Sequence, residues 1–439
     1  MPRFLLQNFG CRATQADGAA LEAQLARRGF GAVDDAVSAE LVILNSCTVT
    51  AAADEDLRKA VRQIHRKNPG ARILVTGCYA QRAPDELAVL PGVQWVVGNS
   101  HKTGIPELVE RAFAGPAGDT PYHGEIHVGD ISAAREFLSA PVEDAGGDRS
   151  RPNLKIQDGC GNRCSFCIIP SVRGRSRSAA PEQVIEQVRA LAVRYPEVVL
   201  SGINLGRWGR EQGMHLRLVD LLRRLLDETG IQRLRLSSVE PMDCSDELLD
   251  LMASSPRIAR HVHAPLQSGS DSVLKRMRRK YRSRHYESRI REARRRMPDA
   301  AIGADVMTGF PGETEAEFEE SRQFIDAMPF TYLHVFTYSE RPGTEAWGRD
   351  DHVPIRLRRD RTAVLRELAA GKNRRFRESL LGTTLSVVTL GKPDTGLSDN
   401  YVSVRFAAPR EPNRIVEVTA GALTGSGIEE RTPFPILGL

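Results

Sequence analysis

Short apolar runs alternate with amphipathic helical stretches twice along this chain of 439 residues, and that alternation limits the fold more than any other feature. In the first series, residues 4–9 (FLLQNF), 41–46 (LVILNS), 72–77 (RILVTG) and 93–98 (VQWVVG) read as strands. Residues 15–29 and 53–70 read as amphipathic helices that stop at glycine. Strands joined through helices pair side by side in one direction, so the pattern predicts a parallel α/β sheet. A second series places strands at 153–158, 197–202, 233–238, 261–266, 301–308 and 332–338. Six successive βα units predict a full or partial barrel whose active site lies at the C-terminal strand ends. Between the two series, residues 114–150 are rich in Gly, Ala, Pro and acid and read as a linker with one short extended piece. The tail reads as short strands with turn residues, a small all-β barrel. The expected domains are therefore 1–140, 141–378 and 379–439.

The chain holds 7 cysteines, an odd number, and its start, MPRFLLQNFGCRATQADG, lacks the apolar region of a signal peptide. With no run long enough for a membrane helix, the expected setting is the cytoplasm with no membrane partner. A reducing compartment argues against disulfides and leaves metal or redox chemistry for clustered thiols. Cys11, Cys47 and Cys78 each follow an expected strand and precede an expected helix. In open parallel sheets ligands gather outside the carboxyl ends of strands, so these three should converge at one edge. Cys160, Cys164 and Cys167 form C-x3-C-x2-C at the end of the first barrel strand. Three thiolates on a cubane 4Fe–4S cluster leave one iron open for a substrate or cofactor. A structural Cys3His zinc site is the competing arrangement, with His261 or His263 as fourth ligand. Both histidines lie on another strand, without the compact spacing of zinc modules. Cys244 stands alone and reads as a packed core residue.

Net charge is modest at +5, but Arg and Lys crowd into 273–297 and 354–379. Such runs are either solvated helix faces or phosphate-contacting surfaces for nucleic acid.

The C-x3-C-x2-C spacing, with Phe166 before its last cysteine, resembles the signature of the radical S-adenosylmethionine (SAM) enzymes. The resemblance implies an open iron that chelates SAM and a 5′-deoxyadenosyl radical that abstracts hydrogen from unactivated carbon. Over essentially its full length the chain resembles the methylthiotransferases. LNSCTVT (44–50), VTGCYAQR (75–82), LKIQDGC (154–160), CIIPSVRGRSRS (167–178) and SGINLGRWG (201–209) look most like the MtaB branch. That branch converts N6-threonylcarbamoyladenosine at tRNA position 37 to its 2-methylthio derivative. PLQSGSDSVLKRM (265–277) and GADVMTGFPGETEAEF (303–318) match the wider group, and GLSDNYVSVRF (396–406) resembles its RNA-binding TRAM domain. Two departures stand out: Thr14 where asparagine is usual, and Ser171 where tyrosine or alanine is commoner.

By this resemblance, Cys160, Cys164 and Cys167 hold the radical-generating 4Fe–4S cluster. Cys11, Cys47 and Cys78 hold a second one that binds sulfur, and SAM serves as both methyl donor and radical source. Phe166 in the triplet loop, Gly202, Asn204, Glu240 and Gln267 at strand ends, and Gly309 and Pro311 of GFPG are candidates to contact SAM; a plain turn or cap is the alternative for the strand-end and GFPG residues. The implied partners are a tRNA anticodon stem-loop, an electron donor such as flavodoxin or ferredoxin, and a sulfur source that the sequence leaves open. Arg173, Arg175, Arg177, Lys275, Arg278 and Arg279 are candidate phosphate contacts, with ion pairing beside the cluster an equal competitor for the first three. Other branches act on isopentenyladenosine at position 37 or on a ribosomal-protein aspartate. A non-enzymatic, metal-stabilised RNA-binding protein is the alternative of another class.

Overall fold

The computed structural model describes residues 1–114, 123–133, 137, 150–210 and 216–432. Six strands, β1 (Arg3–Asn8), β2 (Gly31–Ala32), β3 (Leu41–Ser46), β4 (Arg72–Gly77), β5 (Val93–Gly98) and β6 (Glu125–His127), form one parallel sheet in the order β2-β1-β3-β4-β5-β6. Every residue of β3 is buried because both faces of the sheet are covered. Alternation divides the strand between two cores. Val42 and Leu44 meet Leu57, Val61 and Ile64 of helix α2 (Ala51–Lys67), while Leu41 and Ile43 meet Leu21 and Leu25 of helix α1 (Arg12–Arg27). The Thr50 side chain caps α2 by accepting from Ala53 N at 3.2 Å. The expected strands of this series are found within a residue. The short extended piece inside the expected linker is β6, and most of the rest of that linker lies outside the described residues.

The second series builds an open barrel from two sheets. One contains β7 (Asn153–Asp158), the short antiparallel β8 (Arg177–Ser178), β9 (Glu197–Gly202) and β10 (Arg233–Leu236) in the order β10-β9-β7-β8. The other contains β11 (His261–His263), β12 (Ala301–Thr308) and β13 (Tyr332–Thr337), all parallel. A bridge between Leu234 and Ile258 and a bond from Val239 N to His263 O at 2.9 Å join the two arcs. The barrel is partial: β8 occupies the outer edge of β7, and β10 and β11 end sooner than the apolar runs had suggested. The largest core lies between these strands and their helices and includes Cys244, 4% exposed.

Beyond the 25-residue helix Ile355–Ser379, strands β14 (Thr384–Thr389), β15 (Thr395–Ser398), β16 (Ser403–Arg405), β17 (Ile415–Leu423) and β18 (Ile428–Glu430) close into a small barrel. This barrel docks on the base of the larger one through arginines of β10. The RLRL alternation sends Leu234 and Leu236 to the helices and Arg233 and Arg235 inward, where Glu197 meets both. Arg235 also donates to Ser398 O at 2.9 Å and Asp399 O at 3.1 Å, and Arg233 to Ser386 Oγ at 2.6 Å. Among the described residues no helix is long and apolar enough to cross a membrane.

Burial alone would raise the Glu197 carboxyl, but Arg235, Arg151 and Arg233 hold it down at about 2. A depressed carboxylate adds stability that is complete above its ordinary 4.5 and is lost as pH falls toward 2. Glu197→Gln should lower stability to urea at neutral pH by about 3 kcal/mol, because buried guanidinium groups lose their counter-charge. It should also flatten the acid limb of the stability curve between those two pH values. An unchanged urea midpoint would contradict the docking role.

Candidate active site

Two groups of three cysteines face each other across the junction of the first sheet and the open barrel. The chain leaves β7 at Asp158 and reverses at Gly159, whose φ is +69°. A Cβ there would stand 2.1 Å from Arg175 O, so only glycine fits. Buried Gln157 pins this reversal by donating to Asp158 O, Gly159 O and Ser176 Oγ at 3.0, 2.9 and 2.8 Å. Farther on, Ser165 bonds Met277 O through its backbone N at 3.1 Å and Arg276 O through its hydroxyl at 2.8 Å. Phe166 packs edge-on to Phe310, ring centroids 6.5 Å apart.

The thiols of this loop are met by N–H donors. Cys160 Sγ accepts from Asn162 N at 3.4 Å and from Asn204 Nδ2 at 3.6 Å, and Cys164 Sγ from Arg279 Nη1 at 3.2 Å. Burial pushes Cys160 up and Cys167 to about 12, so the free thiols are disfavoured as thiolates unless a positive centre joins them. That donor set suits a cation-bound thiolate triplet.

In the first sheet, Cys11 is the N-cap of α1, Cys47 follows β3, and Cys78 opens the short helix α3 (Cys78–Arg82) after β4. Close approach depends on two glycines. A Cβ on Gly10 (φ +123°) would lie 2.3 Å from Cys47 Cβ, and one on Gly77 (φ +100°) 2.4 Å from Ser46 O. Cys47 hydrogen-bonds Cys11, which with the Arg173 charge holds the Cys11 thiol low against its burial, while the same bond pushes Cys47 up. Thr14, the departure noted in the sequence, sets its hydroxyl 3.6 Å from Cys11 Sγ. Asn99 Nδ2 donates to Cys78 Sγ at 3.5 Å and to Val172 O at 2.8 Å. The short helix Ile169–Arg173, which starts just after Cys167, thus rests against the first cysteine group.

Behind both groups is a buried ionic network. Asp17 of α1 pairs with Lys102 at 3.1 Å, Arg173 at 3.1 Å and Lys155 of β7. Asp158 pairs with Lys155 at 2.9 Å and Arg173 at 3.0 Å, and Arg177 lies 3.9 Å away. Among the described residues, Lys102, Lys155 and Arg173 against the two carboxylates leave an excess of positive charge beside Cys11 and Cys78, both of which act on Arg173. That excess suits an anionic thiolate cluster.

A cavity of about 580 Å³ opens between the cysteine groups, lined by Cys11, Cys160, Cys164 and Cys167 together with Phe166, Gly202, Glu240 and Gln267. Asn204 reaches its edge through Cys160 and bonds Gln157 Oε1 through its backbone N at 2.7 Å. Gly309 and Pro311 do not line the cavity. Gly309 N bonds Glu313 Oε2 at 2.7 Å, and its Cβ position is filled by Arg358, so GFPG supports Phe166 from behind through Phe310.

The candidate phosphate contacts divide. Arg173, 1% exposed, is the hub of the ionic network and cannot reach a phosphate. Arg279 is buried between Glu240 and Cys164, and Arg177 donates to Arg173 O at 2.9 Å. Arg175, Lys275 and Arg278 are exposed, Arg278 with Glu345 at 2.7 Å. Much of the remaining basic sequence is spent on acids nearby, as in Arg289 and Arg296 on Asp246.

The sequence reading missed the opposite wall. His261 Nε2 and His263 Nδ1 both bond Tyr332 Oη, at 2.7 and 2.8 Å, instead of turning to the cysteine triplet as a zinc ligand would. His263 and His334 share Asp305 Oδ1 at 3.1 and 3.2 Å, a cluster with its ligand atoms within 4.8 Å of one another. Tyr401, from the small barrel, stacks on His261 at 4.3 Å. The available signal was His-x-His, which puts two polar rings on one face of a strand.

Residues 154–325 match the radical SAM superfamily, and residues 3–98 match an uncharacterized protein family, UPF0004. The threonylcarbamoyladenosine tRNA methylthiotransferase MtaB of Aquifex aeolicus is 35% identical, over 94% of this chain and 98% of its own. The chain belongs to the radical SAM tRNA methylthiotransferases. A tRNA-2-methylthio-N(6)-dimethylallyladenosine synthase of Salinispora arenicola is 34% identical over 96% of this chain and 83% of its own. Among solved structures, the radical SAM methyltransferase TsrM of Kitasatospora setae shares the fold, with a TM-score of 0.57 at 17% identity over 79% of this chain and 77% of its own. Membership makes this chain an enzyme that uses SAM and a 4Fe–4S cluster.

The ionic network offers a direct test of how the two cysteine groups are held together. Asp17→Asn should cost about 3–5 kcal/mol in urea unfolding, since Lys102 and Lys155 stay buried short of a counter-charge. Adding Lys102→Met should recover part of that loss; strictly additive losses would contradict direct pairing.

Proposed function

We propose that this enzyme converts N6-threonylcarbamoyladenosine at position 37 of tRNA to its 2-methylthio derivative, with Cys160, Cys164 and Cys167 holding one 4Fe–4S cluster and Cys11, Cys47 and Cys78 a second. The observation that carries the reading is that Cys11 and the triplet open onto one cavity in a chain so similar to a threonylcarbamoyladenosine-directed relative from end to end. When bound, the clusters and SAM supply the hydrogen-abstracting radical and the sulfur and methyl groups. The chain's own task is placement. Gln157 and Gly159 aim the triplet loop, Arg279 and Asn204 donate to its sulfurs, and Phe166 shields it. Phe166, Gly202, Glu240 and Gln267 are the cavity residues proposed to touch SAM, with Asn204 behind them.

In this reading residues 1–140 carry the sulfur-binding cluster, 141–378 the radical chemistry, and 379–439 an RNA-binding barrel. Arg175, Lys275 and Arg278 are the exposed cations proposed to meet anticodon-loop phosphates. The setting is the cytoplasm, with a flavodoxin or ferredoxin as electron donor.

Replacing Cys160, Cys164 and Cys167 together by alanine should leave about four irons per chain after anaerobic reconstitution, against about eight for the intact protein. About four irons in the intact protein would remove the second cluster. The dimethylallyl-directed relative is nearly as similar, so identity alone does not choose the nucleoside. Mass spectrometry of tRNA nucleosides from a strain lacking the gene should lose 2-methylthio-N6-threonylcarbamoyladenosine and regain it on complementation. Loss of the dimethylallyl derivative instead would overturn the assignment.

A further inference from the structure

Among the described residues, the carboxylates that line the cavity are paired, and one guanidinium is not. Glu240 is taken by Arg279, which also donates to Cys164 Sγ, and Asp305 is shared by His263 and His334. Arg12 also lines the cavity, next to Cys11, yet among the described residues no carboxylate pairs with its guanidinium. Its residue is anchored through the backbone, where Arg12 O accepts from Asn153 Nδ2 at 2.7 Å. The charge acts on His261 and Tyr332 across the cavity. The Cys11 thiol already has its own cation in Arg173. A partly buried guanidinium without a counter-ion, open to a cavity, is suited to an anion that arrives with the substrate.

We propose that Arg12 reads the carboxylate of the threonylcarbamoyl group and so selects the modified adenosine. This rests on the reading of the substrate given above. The threonylcarbamoyl group carries a carboxylate, a hydroxyl and a urea, whereas a dimethylallyl group carries no polar atom. The facing wall of His261, Tyr332 and Tyr401 supplies neutral hydrogen-bonding groups for the hydroxyl and urea. An apolar substituent would leave Arg12 desolvated and unpaired, so the same residue that attracts one substrate rejects the other.

The test uses the anaerobically reconstituted full-length enzyme and binding of four anticodon stem-loops. These carry threonylcarbamoyladenosine, its carboxylate methyl ester, dimethylallyladenosine or plain adenosine at position 37. The wild type should bind the free carboxylate roughly 10- to 100-fold more tightly than the ester, the range of a charge-assisted pair. Arg12→Gln should abolish that preference while keeping its iron content and its affinity for plain adenosine, and Arg12→Lys should keep part of it. The double variant Lys275→Gln/Arg278→Gln should instead weaken all four RNAs alike, as phosphate contacts do. If Arg12→Gln keeps the preference, weakens every RNA equally, or loses iron along with the preference, Arg12 does not read the carboxylate. A wild type that prefers dimethylallyladenosine would overturn the substrate reading itself, ahead of any part played by Arg12.

Discussion

The contact between Asp17 and Arg173 links the two halves of the candidate active site. Asp17 lies on the first helix of the first sheet, and Arg173 ends the short helix that follows the cysteine triplet. With Lys102, Lys155 and Asp158 they form a buried network across the junction. Such networks contribute little net stability over a packed apolar junction, but they are strict about geometry, because any displacement leaves a buried charge unpaired. Here that strictness falls on the relative placement of two cysteine groups from parts of the chain more than eighty residues apart. The network also carries more positive than negative charge, which favours anionic sulfur on the side it faces.

A second set of buried arginines serves a different junction. Arg233 and Arg235 point into the open barrel, where apolar side chains would ordinarily fill the space. Glu197 neutralises part of their charge, Ser398 O and Asp399 O accept from Arg235, and Ser386 Oγ accepts from Arg233. The small barrel therefore closes the base of the larger one and brings Tyr401 to the cavity wall. A module expected only to hold RNA also completes the chamber in which the base would sit.

Much of the architecture was legible in the pattern of residues. Short apolar runs between amphipathic helical stretches located the strands, and the cysteines at strand ends marked the edge where ligands gather. The reading weakened where polar residues sit on buried strands. Lys155, Arg233 and Arg235 have no local feature that says which distant carboxylate will meet them. Arg173 reads equally as a phosphate contact or an ion-pair partner for the same reason: its burial depends on the distant Asp17 and on Asp158. Gly309 and Pro311 looked like a close approach to ligand, whereas the neighbour that requires a small residue there is Arg358.

The sequence by itself determined two sets of three thiols, the parallel α/β framework that carries them, and the radical SAM spacing of Cys160, Cys164 and Cys167. These follow from residue type and local spacing. Only the tertiary structure decided which charges are spent. Glu240 and Asp305 are consumed by partners 39 residues and 29–42 residues away, whereas Arg12 is left facing the cavity. Pairing in a low-dielectric interior depends on distance in space, and distance in space is set by the fold.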